Sequence, residues 1–88
     1  MKLKNLDAVE HPKVTLAEKL IGRKLRKDEV VHHMDRDRKN NDPRNLTVLR
    51  LTTHMKLHAQ MRRNPTLDQL SWLRDSCRAF RYLGDLYP

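Results

Sequence analysis

The chain has 88 residues, 38% hydrophobic and 34% charged, with one Trp, two Tyr and one Phe; that length excludes more than one domain and leaves a small core that gains from an added constraint such as a bound ion. A formal charge of +8, from 19 Lys and Arg against 11 Asp and Glu, favours a polyanionic partner, nucleic acid or an acidic membrane surface. The single cysteine, Cys77, excludes an internal disulfide and a cysteine-rich zinc knuckle, and no segment reads as a signal peptide or reaches the roughly 20 apolar residues of a membrane span, so a cytoplasmic protein with no membrane part is expected.

Residues 1–12 read as an irregular arm ending at Pro12, with His11 as an ordinary surface residue. Val14, Leu16, Ala17, Leu20 and Ile21 share one helical face, and Gly22 follows as a stop, which predicts a short helix over 14–21. With its following turn it forms a basic leading segment, 13–28, in which Lys13, Lys19, Arg23, Lys24, Arg26 and Lys27 stand against Glu18. EVVHH, 29–33, is a short β-branched strand, and TVLRL, 47–51, is a second whose Thr47, Leu49 and Leu51 alternate with Val48 and Arg50. They pair as an antiparallel ribbon. The intervening MDRDRKNNDPRN is polar and carries a turn signal at Asn41-Asp42-Pro43, so it reads as an ordered, exposed loop. Thr52 or Thr53 is suited to cap a helix running to about Arg62, and Asn64-Pro65 breaks the chain. A capping-box pattern from Thr66 to Gln69 then opens a longer helix to Gly84, with Leu67, Leu70, Leu73, Cys77 and Phe80 as its core-facing row and Trp72 and Tyr82 at its edge. The result is a small α+β protein, a single domain over 1–88 with a strand-strand-helix centre at 29–62 and a packing helix at 64–84.

Four of the five histidines fall between residues 32 and 58. His54 and His58, four apart on a helix, project from one face with Cβ atoms about 5–6 Å apart, a spacing that grips one metal ion but is also common among solvated residues. His32 and His33 lie on a strand, where neighbours point to opposite faces, so one can join the helix pair while the other serves a different purpose. Three protein ligands leave a metal with open positions, as in catalytic sites. A further imidazole, with an ordinary pKa near 6.5, suits withdrawal of a proton from water. Metal and base together describe phosphodiester hydrolysis.

HHMD, NNDPRNL and HMKLH, in that order and spacing, resemble the signature of the HNH endonucleases over about Val30 to His58, and AEKLIGRKLRKDEVV resembles the leading segment of the phage and bacterial members. The resemblance implies a ββα-metal finger, His32 as metal ligand with His54 and His58, His33 as general base, and Asn45 as a clamp that hydrogen-bonds across the loop. It implies one divalent ion: imidazoles suit zinc or nickel, whereas the family is often active with magnesium or manganese. Asp35 is better placed to organise the loop than to support an imidazole, and Asn40 and Asn41 read as turn-shaping residues.

DNA is the expected partner, bound mainly through its phosphate backbone, with Lys24, Arg26, Lys27, Arg36, Arg38, Lys39 and Arg44 as candidate contacts. The expected activity is a metal-dependent endonuclease that nicks or cuts DNA as a monomer or weak dimer. The alternative is a catalytically silent, metal-stabilised DNA-binding or assembly module in a phage terminase, packaging or recombination complex. A silent module needs the ligands but not His33.

Overall fold

A computed structural model describes residues 12–87. The arm expected at 1–12, and His11 within it, lie outside the described residues except for Pro12, which opens helix α1 (Pro12–Ile21). Proline suits this first position because the N–H it lacks has no helical partner there. Gly22, at φ +80°, ends the helix by donating to Glu18 O at 2.9 Å. Ala17 is fully buried, with Val14, Leu16, Leu20 and Ile21 packed around it.

Strand β1 (Glu29–His33) pairs antiparallel with β2 (Leu46–Arg50), Val31 opposite Val48, His32 opposite Thr47 and His33 opposite Leu46. The second strand thus lies one residue earlier than expected, and Leu51 begins a helix with its side chain exposed. Both faces of the ribbon are covered. Val31, Leu46 and Val48 pack with Ala17 and Leu83 on one side, while Leu49 packs with Leu57, Met61 and Leu73 on the other. Burial on two faces explains why β2 is almost continuously apolar instead of alternating with polar residues.

Between the strands, a 3₁₀ turn (Pro43–Asn45) follows Asp42, whose carboxylate accepts from Arg44 N at 2.9 Å. Helix α2 (Leu51–Arg63) begins directly from β2. Neither Thr52 nor Thr53 caps it: Leu51 N donates to Asp28 O at 2.7 Å, so tertiary backbone pairing satisfies a donor that the sequence assigned to a threonine.

The C-terminal region departs most from expectation. Helix α3 spans only Gln69–Ser76, and the chain then forms β3 (Arg81–Tyr82) and a short helix α4 (Leu83–Leu86). Asp68 is the cap, accepting from Ser71 N at 3.1 Å, while Thr66 N and Oγ1 donate to Asn64. The Thr66–Gln69 capping box does not form. β3 adds to the free edge of β2, Thr47 opposite Tyr82, giving a three-stranded sheet in the order β1-β2-β3. A helix continued to Gly84 would leave that edge unpaired. Leu67, Trp72, Cys77 and Phe80 still pack around Leu73, so most of the apolar row reaches the core despite the break. At Gly84 an added Cβ would fall 2.6 Å from Tyr82 Oη, so a side chain there would require the Tyr82 ring to shift; that hydroxyl donates to Arg44 O at 2.8 Å and ties β3 to the inter-strand loop.

Candidate active site

The antiparallel register turns His32 towards the α2 side of the sheet, and one helical turn on α2 brings His54 and His58 up to it. The ring centroids of His32 lie 5.1 Å from those of His54 and 5.4 Å from those of His58, and the two helix rings are 4.4 Å apart. One nitrogen from each ring lies within 4.8 Å of the others, a cluster that could hold a metal ion. Nε2 of His54 and Nε2 of His58 approach to 3.0 Å. Two nitrogen ligands of one tetrahedral zinc ion, each about 2.0–2.1 Å from it, sit about 3.4 Å apart, so the pair is already near ligand spacing.

The electrostatics agree with that use. Burial pushes the His32 pKa down to about 4 against the opposing effect of its hydrogen bond to Gln69, and the neighbouring His54 and His58 lower it further. Burial, then the nearby His58, also lowers His54. Neutral imidazoles carry the free lone pairs that a metal requires. The donor set therefore fits a divalent ion with nitrogen preference.

His33 points away from this cluster and is 7% exposed. Its Nε2 lies 2.9 Å from Asn41 Oδ1. That contact holds the ring through Nε2 and leaves Nδ1 as the nitrogen not engaged by Asn41. Asn41, which the sequence suggested only as a turn former, thus contacts the candidate base.

Asn45 is 9% exposed and closes the loop that follows His33. Its Oδ1 accepts from Asp35 N at 3.0 Å, while its Nδ2 donates to Asp35 Oδ1 at 2.8 Å and to Asn40 O at 3.0 Å. Met34 N donates to Asn45 O at 2.9 Å. The Asp35 carboxylate also accepts from Asp37 N and Asn40 Nδ2, each at 2.8 Å; these bonds, led by the one from Asn40, hold its pKa below the usual range. Asp35 therefore organises the loop, and among the described residues its carboxylate hydrogen-bonds to no imidazole.

One cleft joins the two histidine environments, lined by Lys13, Val31, His32, His33, Arg36, Arg38, His54 and His58. Among the cations named from sequence, Arg36 and Arg38 line it, whereas Lys24, Arg26, Lys27, Lys39 and Arg44 do not. Arg44 is paired with Asp42 at 2.9 Å. Arg36 is held at φ 66°, a left-handed conformation unusual for a residue with a side chain. Lys13 was not foreseen, because the relevant signal is proximity across the fold from α1. Gln69 was missed for the same reason: its Oε1 lies 2.7 Å from His32 Nε2, across 37 residues of sequence.

No curated protein and no solved structure matches the chain. Residues 14–56 match the family model described as HNH endonuclease, which takes in most of α1, both long strands and the first turns of α2 and stops two residues short of His58. That match, on a small α+β fold consistent with a ββα-metal element, supports the resemblance to the HNH endonucleases.

Proposed function

We propose that the protein hydrolyses DNA phosphodiester bonds, with His32, His54 and His58 holding one divalent ion and His33 accepting a proton from the attacking water. The observation that carries this reading is the division of the histidine pair. His32 joins the two helix imidazoles in one cluster, while His33, on the opposite face of the same strand, lines the same cleft and is held through Nε2 by Asn41.

A bound ion would supply Lewis-acid stabilisation of charge on the phosphoryl and leaving oxygens. Within the chain, His33 takes the proton at Nδ1 while Asn41 fixes its ring through Nε2. Asn45 and Asp35 hold the backbone after His33, so the base keeps its place at the cleft wall. Lys13, Arg36 and Arg38 give the cleft positive charge that attracts the phosphate backbone without reading sequence. The nitrogen donor set favours zinc or nickel for tight binding, with manganese or magnesium as further activating ions.

The test is a supercoiled-plasmid assay with and without added zinc, nickel, manganese or magnesium, alongside calorimetry on the wild type and His54→Ala. Metal-dependent nicking, and metal affinity reduced at least tenfold in His54→Ala, are expected. Unchanged affinity in the variant would remove His54 from the ligand set, and absence of cutting with every ion would favour a silent DNA-binding module.

A further inference from the structure

Gln69 is the first residue of α3 and lies outside the segment that matches the family. Its side chain bridges two points on the other side of the site. Nε2 donates to Met34 O at 2.8 Å, and Oε1 lies 2.7 Å from His32 Nε2. The first bond fixes which way the amide faces. A flipped amide would set its carbonyl against Met34 O, two acceptors with no proton between them. With the amide oriented this way, the atom facing His32 is an oxygen that can only accept. His32 Nε2 must therefore carry the proton, and the neutral ring keeps its lone pair on Nδ1.

From this geometry we infer that Gln69 is a positioning residue which sets the tautomer of His32 and reserves its Nδ1 for the metal. The inference rests on the proposed ligand role of His32. The asymmetry of the cluster is consistent with it: His54 and His58 turn Nε2 towards each other, whereas the Nε2 of His32 is engaged by Gln69. His32 is only 3% exposed, so its ring has little space in which to turn over and exchange the two nitrogens. The Asp68 cap fixes the first turn of α3 and hence the origin of the Gln69 side chain. A helix beyond the matched segment thereby supports a ligand inside it.

Metal-ligating histidines commonly donate their second ring N–H to an oxygen, and loss of that partner lowers metal affinity about 10–100-fold. The experiment compares wild type, Gln69→Met and Gln69→Glu. Long-range ¹H–¹⁵N correlation on the metal-free proteins reads the His32 tautomer, and zinc calorimetry reads affinity. Wild type should show the Nε2–H form. Gln69→Met, which keeps the volume but not the acceptor, should give a mixture of tautomers and bind zinc about 10–100-fold more weakly. Gln69→Glu keeps an acceptor and should restore the Nε2–H form. An Nδ1–H tautomer in wild type, or an unchanged Nε2–H tautomer in Gln69→Met, would overturn the inference. If the tautomer responds as expected but wild type binds no zinc, the tautomer control by Gln69 stands and the ligand reading alone falls.

Discussion

The two faces of β1 hold adjacent histidines in contrasting ways. His32 is fixed by elements distant in sequence: α2 brings two imidazoles against it, α3 brings Gln69, and the Leu49, Leu57, Met61 and Leu73 cluster packs on the same side of the sheet. His33 is fixed locally, by Asn41 eight residues away and by a loop whose Asp35, Asn40 and Asn45 bond mainly to one another. The difference suits the two proposed tasks. A ligand set gains from a packed, desolvated scaffold that keeps imidazoles neutral, whereas a base must sit beside an open cleft that substrate and water can enter.

Substitutions confined to one face should separate those tasks. Asn45→Ala removes three side-chain hydrogen bonds from the loop. At about 0.5–1.5 kcal/mol each, it should destabilise the fold by about 2–3 kcal/mol by urea denaturation, lower cleavage strongly and change zinc affinity only slightly. Equal losses of zinc affinity and cleavage would show that the two faces are not separable.

Both faces share an anchor at the start of β1. Arg23 donates to both carboxylate oxygens of Glu29, at 2.8 and 3.0 Å, and Arg26 N donates to one of them at 2.8 Å. The Arg23 bond is the main cause of a Glu29 pKa lowered to about 2 from an ordinary value of 4.5. Because the folded value lies below the unfolded one, the stabilisation is present above about pH 4.5 and is lost as pH falls towards 2. Denaturation across this window should show that loss, and Glu29→Gln should flatten it. The same acid slope in the variant would assign the loss to other groups.

Arg36 tests the loop side more finely. Its φ of 66° suits glycine better, by about 1–2 kcal/mol, and part of that gain is offset by the greater freedom of glycine in the unfolded chain. Arg36→Gly should therefore stabilise the fold by about 0.5–1 kcal/mol while weakening DNA binding, an opposition that thermal melts and salt-dependent binding would display. On the packed side, Thr47 lies opposite His32, fully buried, and its Oγ1 has no hydrogen-bond partner among the described residues. Thr47→Val should be neutral or stabilising by up to about 1 kcal/mol, with zinc affinity unchanged; a clear destabilisation would mean the hydroxyl has a partner in solution.

The same contrast describes what the sequence made legible. Local features could be read directly: EVVHH as a strand, the Asp42-Pro43 turn and the four-residue spacing of His54 and His58; the loop bonds of Asn45 to Asp35 and Asn40 were suggested only by the family resemblance. Features decided by tertiary competition were not. Asp28 O displaced the threonines at the start of α2, the open edge of β2 drew Arg81 and Tyr82 out of an expected helix, and Gln69 turned from a capping pattern towards His32. In each case the local pattern was present, but a partner many residues away satisfied the same backbone or side-chain group.

The central claim is that adjacent histidines divide ligation from proton transfer, and His33→Ala tests it most directly when zinc affinity and plasmid cutting are measured on the same preparation. The account predicts near wild-type zinc affinity with cutting reduced by about 10²–10⁴-fold. Equal cutting by the two proteins, or loss of zinc binding in the variant, would contradict it.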